Sequence, residues 1–212
     1  MLADGSIFRG HPFGATGQSV TAEVVFNTAM SGYQESLTDP SYRGQILVET
    51  FPLMGNTGVN GVDTESACVQ VSGFVVHELS RRASNYRLAS TLDDLLTEHG
   101  VLGLAGVDTR ALTRRLRTSG AMSGVLSDDA SQPDHSLLER ARQAAGMEGQ
   151  NLVPEVGCSS EAGWKETLGE WGTSARRDER SPRVVAFDCG AKRNILRHLA
   201  ERGCDVCIVP HD

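Results

Sequence analysis

The sequence predicts a mixed α/β protein, with strands first and helices alternating with strands after them. Three observations carry that prediction. β-branched, apolar runs of strand length stand at 22–28 (AEVVFNT), 45–51 (QILVETF) and 68–79 (CVQVSGFVVHEL), and turn chemistry at 55–66 (GNTGVNGVDTES) separates the last two. From Ser90 onward the period changes, and helical stretches alternate with short apolar runs. The segment 183–210 reads as strand, helix and strand, one βαβ unit with the right-handed crossover such units adopt. Strands followed by alternation imply layers of sheet and helix with some parallel pairing.

Each element has a local cause. Asp4-Gly5 is a turn signal, so residues 1–3 read as the stub of a strand whose partner follows. The helix of 90–100 starts at Ser90, with Asp93 three residues on, and ends at Gly100, which supplies a left-handed C-terminal residue. The run VLGLAGV (101–107) is continuously apolar, as in a strand buried on both faces. The next helix, 108–120, is capped by Asp108 or Thr109, carries Leu112 and Leu116 one turn apart and closes at Gly120. A short strand, AMSGVLS, follows, and then a helix with Pro133 near its first turn and Gly146 at its end.

Bulk properties narrow the function classes. With 212 residues, 39% hydrophobic and 22% charged, the chain is globular and long enough for one large domain or one domain and part of another. A net charge of −7 argues against nucleic acid as a partner, since phosphate backbones need a basic face. The sequence has no apolar run of membrane-spanning length and opens on no signal peptide, which excludes a membrane partner and points to the cytoplasm. Five scattered cysteines imply no closed disulfide framework, in keeping with a reducing compartment.

Composition shifts at 157–181, where GCSSEAGWKETLGEWGTSARRDERS is polar, Gly/Ser-rich and without period. That reads as a linker with one or two tryptophan anchors. Two strands and a helix after it cannot bury a core alone, so the sequence is expected to end inside a second domain.

Several residues invite chemistry. Cys189 follows a strand at the head of a helix, where the dipole lowers a thiol pKa, yet no histidine is placed to serve as its base. Cys204 and Cys207 have C-x-x-C spacing without the second pair a tetrahedral metal site needs, and read as buried strand thiols. FDCGAKRNIL lacks the glycine spacing of a nucleotide fingerprint and is a weak phosphate-turn signal. Arg110, Arg114, Arg115 and Arg117 read as a solvated helix face, with an acidic docking partner as the alternative.

The segment 26–46, FNTAMSGYQESLTDPSYRGQI, is different, because it is far longer than the roughly four to six residues of an ordinary connection. Pro40 forces Asp39 out of the helical region and fixes the backbone before Ser41. Thr38, Asp39 and Ser41 can bond nearby backbone and stiffen the loop. The outcome is a hydroxyl, that of Ser41, presented on a rigid turn; a self-satisfied surface loop is the alternative.

The stretches EVVFNTAMSGYQESLTDPSYRGQI, GNTGVN, SNYR, GVDTRALTRRLR and VVAFDCGAKRNILRHLAERGC resemble, in order, successive motifs of the small, glutamine-hydrolysing chain of carbamoyl phosphate synthetase, from Asp4 to Pro210. The resemblance implies a layered β/β/α N-terminal domain over 1–156, the linker over 157–181, and over 182–212 the first βαβ unit of an incomplete, flavodoxin-like class I glutamine amidotransferase domain. It implies glutamine hydrolysis in the small chain and passage of ammonia to a large subunit. There, ammonia reacts with bicarbonate and ATP to give carbamoyl phosphate for arginine and pyrimidine synthesis. ATP and Mg²⁺ belong to the large subunit; this chain is expected to carry no cofactor and no metal. The serine of LTDPSY holds substrate glutamine in the family, which assigns that contact to Ser41. The family's nucleophile elbow, G-x-C-x-G-x-Q, and its later His and Glu are expected to lie beyond the sequence, so no catalytic residue is assigned and the stretch itself is expected to be inactive. Cys189 stands where the family has an aromatic residue, a substitution and not the nucleophile.

Two other classes are distinguishable. A stand-alone binding module would require the C-terminal βαβ unit to be a true chain end despite its unburied faces. A doubly wound nucleotide-binding enzyme would require a glycine fingerprint, and the sequence has none.

Overall fold

The computed structural model describes residues 1–173 and 181–212, and the chain is a mixed α/β protein. It divides into two compact units, Met1–Gly149 and Gln150–Asp212.

The first unit is organised by a six-stranded sheet. In chain order its elements are β1 (His11–Gly14), β2 (Ser19–Asn27), α1 (Tyr33–Thr38), a 3-10 turn (Pro40–Tyr42), β3 (Ile46–Glu49), β4 (Leu53–Met54), β5 (Gly73–Val75), β6 (Glu78–Leu79), α2 (Leu92–Glu98), β7 (Leu102–Ala105), α3 (Thr109–Ser119), β8 (Met122–Ser127) and α4 (Asp134–Gln143). The sheet order is β1-β7-β5-β3-β2-β8. Its four central strands run parallel, and β1 and β8 close the edges antiparallel. A separate pair, β4 with β6, is also parallel.

β3 is buried along its whole length, as the apolar run of 45–51 requires of a central parallel strand. Successive side chains on a strand go to opposite faces, so β3 feeds two cores. Leu47 packs on one face with Phe74, Leu37, Met54, Leu92 and Leu96, and Ile46 and Val48 pack on the other with Val24, Leu102, Leu112 and Leu116. Helices α1 and α2 thus cover one face and α3 the other. Each fully buried Leu among them contributes about 1.5–3 kcal/mol.

The expectations meet three corrections here. Segment 26–46 is not irregular throughout: α1 forms within it, because Tyr33 and Leu37 are one turn apart and both buried. It ends where sequence reasoning places the break, at Asp39, which Pro40 holds in extended backbone. The strand expected over 68–79 shrinks to β5 and β6. The amides of Gln70 and Ser72 are drawn instead to the carbonyls of Leu37 and Gln45, at 2.8 Å each. Finally, Thr91 and not Ser90 caps α2, with Asp94 completing the capping box. Ser90 is already engaged, its carbonyl accepting the Val59 amide at 2.9 Å. β1 has no counterpart in the sequence reading.

In the second unit, α5 (Val153–Val156) precedes β9 (Ala162–Trp164), a 3-10 turn (Gly169–Trp171), β10 (Arg183–Asp188), α6 (Arg193–Glu201) and β11 (Asp205–Pro210). β10 and β11 are parallel and joined by α6, as the strand–helix–strand pattern predicts. Residues 157–173, read from composition as linker, contribute β9, which pairs antiparallel with β11. The part of that linker at 174–180 lies outside the described residues.

Candidate functional site

The site is built from α1 and the turn after it. Gly32 enters the helix with φ 84°, in the left-handed region that favours glycine. Side chains of α1 then tie it to the loop at 55–66. The Tyr33 hydroxyl donates to the Gly58 carbonyl, and the Gln34 carboxamide pairs in both directions with the backbone of Asn60. Thr38 Oγ1 donates to the Gln34 carbonyl and accepts the Glu65 amide, both at 2.9 Å. Asp39 Oδ1 accepts the Ser41 amide at 2.9 Å, and Pro40 fixes the first position of the 3-10 turn. Ser41 is exposed while Asp39 and Pro40 are buried. Bonds from Thr38 and Asp39 to nearby backbone, expected from the sequence, are both present. The side chain they leave outward is the Ser41 hydroxyl.

Joined to this turn through Tyr42 is a polar cluster that sequence reasoning missed. Asn27 Nδ2, at the end of β2, donates to Ser36 Oγ at 3.1 Å and to the Tyr42 hydroxyl at 3.3 Å. Its register partner on β3 is Glu49. Glu49 is 1% exposed, and its carboxyl oxygens make no hydrogen bond of ordinary geometry, although the Ser36 hydroxyl is near enough to act on them. Burial pushes its pKa up to about 7, with the Ser36 hydroxyl opposing weakly. The signal was legible: one charged residue interrupts the apolar run QILVETF.

On the outer side of α1 a polar hollow of about 230 Å³ is lined by Ser31, Gly32, Glu35, Asp63, Asn85 and Arg87, among others. Arg87 and Asp63 form an ion pair of 2.7 Å there. Burial raises the Glu35 pKa, and the charges of Asp63 and Glu65 add to that. Exposed apolar side chains flank the hollow in sequence: Met30, Val62, Tyr86 and Leu88. Ser41 does not line it.

The remaining candidates stay apart from one another. Cys189 is exposed at the end of β10. The amides of Gly190 and Ala191 both point to Asp188 Oδ1, at 3.0 and 2.9 Å, so the donors a phosphate turn would need are engaged. Cys204 is buried but precedes β11, so it is not a strand thiol as expected; Cys207 lies on the strand. The Cys207 thiol donates to Glu161 at 3.2 Å, and that bond raises its pKa. Of the arginine stripe on α3, Arg115 pairs with Asp4, and Arg110, Arg114 and Arg117 are exposed. Among the described residues, no three His, Cys, Asp or Glu side chains are grouped to hold a metal ion, and no helix is long and apolar enough to cross a membrane.

Comparison with known proteins places this arrangement. The family profile described as "Carbamoyl-phosphate synthase small chain, CPSase domain" matches residues 1–126. A carbamoyl phosphate synthase small chain of Syntrophotalea carbinolica is 49% identical over 213 residues, covering 99% of this chain and 56% of the relative. That of Methanopyrus kandleri is 47% identical, covering 100% and 55%. A chloroplastic small chain of Arabidopsis thaliana is 46% identical, covering 99% and 49%. The chain spans about half the length of the curated relatives it matches. A profile match over more than half the chain, with near-half identity along all of it, makes this chain a member of the carbamoyl-phosphate synthase small chain family.

Proposed function

We propose that this chain serves glutamine-dependent synthesis of carbamoyl phosphate, contributing a glutamine contact through Ser41 and a docking surface for the large subunit. Glutamine is hydrolysed in the small chain, and its ammonia passes to the large subunit, a ligase that consumes bicarbonate and ATP with Mg²⁺ and feeds arginine and pyrimidine synthesis in the cytoplasm. No catalytic residue is assigned to the 212 residues; they bind and position. The finer fold reading belongs to the same proposal: a layered β/β/α domain, then the first βαβ unit of a flavodoxin-like amidotransferase domain. The placement of α3 on one side of the main sheet and the β4–β6 pair on the other supports the first part.

One observation carries the glutamine contact: the Ser41 hydroxyl is solvent-facing on a turn whose backbone is fixed by Asp39 and Pro40. A hydroxyl carried on fixed backbone can donate to the substrate's carboxylate or accept from its amino group at a reduced ordering cost. Docking is assigned to the loops 32–44 and 55–66 and the Arg114/Arg115 face of α3, with the exposed Met30, Val62 and Tyr86 as apolar anchors.

The test is Ser41→Ala in the full-length small chain assembled with its large subunit. Glutamine KM should rise by a factor matching about 0.5–1.5 kcal/mol, the net worth of a neutral hydrogen bond. Synthesis from supplied ammonia should hold, since that route bypasses the contact. An equal fall in both activities would make Ser41 structural and end the proposal.

A further inference from the structure

Glu49 has no role in the contact just assigned, yet it stands beside Asn27, which is bonded to Ser36 of α1 and to Tyr42 of the turn that carries Ser41. It is a carboxyl with 1% exposure whose oxygens make no hydrogen bond of ordinary geometry, seated at the end of a strand that is otherwise apolar. An ionised carboxylate in that setting loses its hydration with no compensating charge, whereas a protonated one costs far less.

The groups around it are few and neutral. β2 presents Asn27, α1 presents Ser36, and Val76, the residue after β5, follows Val75, whose register partner is Val48. The 3-10 turn contributes Tyr42, joined to Asn27 and through it to Ser36. Glu35, the carboxyl of α1, is raised by burial and responds to Asp63, Glu65 and Arg87, and Asp39 is turned to the Ser41 amide. Among the described residues, burial and the Ser36 hydroxyl are the influences on Glu49, and no charged side chain is among them.

We propose that Glu49 is a proton-operated latch beneath α1 and the Ser41 turn. Protonated, it is a neutral group that lets residues 33–42 close over the Asn27–Ser36–Tyr42 cluster; ionised, it is a buried charge with no cation among the described residues to offset it, and the segment lifts to hydrate it. Glu49 is therefore a positioning residue. Its effect on glutamine rests on the Ser41 reading above, whereas its effect on the segment does not.

The sign follows from linkage. Opening returns Glu49 to its ordinary value of 4.5, while closure holds it near 7. The closed segment binds the proton more tightly, so closure is strongest at low pH, weakens as pH rises between those values and levels off above them. With these values the opening equilibrium grows about 30-fold between pH 5.5 and pH 8.

The experiment is hydrogen exchange on the full-length chain, corrected for intrinsic rates, with β8 amides as the internal control. Protection of residues 33–42 should fall about 30-fold over that range while β8 changes little. Glu49→Gln should abolish the pH dependence, and Glu49→Met, close in volume and without a polar head, should do the same if the amide variant folds poorly. A flat wild-type profile, or a slope retained in either variant, overturns the latch. Glutamine KM measured alongside separates the two ideas. A proton-dependent segment with an unaffected Ser41→Ala enzyme sustains the latch and removes the glutamine contact; a Ser41 effect with flat protection does the reverse.

Discussion

The Ser41 amide is held 2.9 Å from Oδ1 of Asp39, two residues back along the chain. That bond makes Asp39 a residue on which the backbone placement of Ser41 depends. It works because Pro40 removes the competing helical continuation, leaving Asp39 in extended backbone with its carboxylate turned back to the Ser41 amide.

Asp39→Ala should raise glutamine KM in the assembled enzyme by a factor corresponding to about 0.5–2 kcal/mol, the range for losing such a cap. Asp39→Asn retains an acceptor and should recover most of that loss. If Asn and Ala behave alike while kcat also collapses, Asp39 supports the fold and does not orient Ser41.

Thr91→Ala removes the hydroxyl that accepts the Asp94 amide at 3.1 Å and half of the box that closes α2. The expected loss is about 1 kcal/mol. Urea denaturation should show a lower midpoint at an unchanged slope. No shift would mean that α2 is held by Leu92 and Leu96 alone.

Leu37 is 0% exposed between α1 and the sheet, and Leu88 is 40% exposed on a loop. Leu37→Ala should cost about 2–5 kcal/mol, from lost transfer energy and the cavity left behind. Leu88→Ala should stay within about 1 kcal/mol. Thermal melts of both variants test the assignment of α1 to the core, and comparable losses would contradict it.

Tyr86 is 77% exposed, with the Arg87 guanidinium 5.8 Å from its ring centre, and lies in sequence between Asn85 and Arg87, which line the hollow beside α1. If this segment docks on the large subunit, Tyr86→Ala should raise the dissociation rate of the complex, as loss of a buried aromatic anchor does. Arg114→Glu should instead alter the association rate and its salt dependence. Binding kinetics unchanged in both variants would place the contact elsewhere on the protein.

Much of the fold was legible because local causes and tertiary outcome agree. Runs such as QILVETF and VLGLAGV became central parallel strands, since continuous apolarity fits a strand covered on both faces. Leu112 and Leu116 both turned inward, and Asp108 capped α3. Disagreement arose where two groups competed for one partner. Ser90 could cap α2 by its residue type, but its backbone was taken by Val59, and the cap moved to Thr91.

The site divides along the same line. Sequence alone determined the Asp39-Pro40 break, the turn that follows and the outward Ser41, because proline and Asx geometry act within a few residues. Only the tertiary structure decided that α1 is a helix, through the burial of Tyr33 and Leu37 in a core assembled from distant strands. It also decided the fate of Glu49, a residue whose type favours water and whose strand does not. A pattern of neighbours along the chain cannot show which side chains will surround a carboxyl, and it is those surroundings that fix its charge.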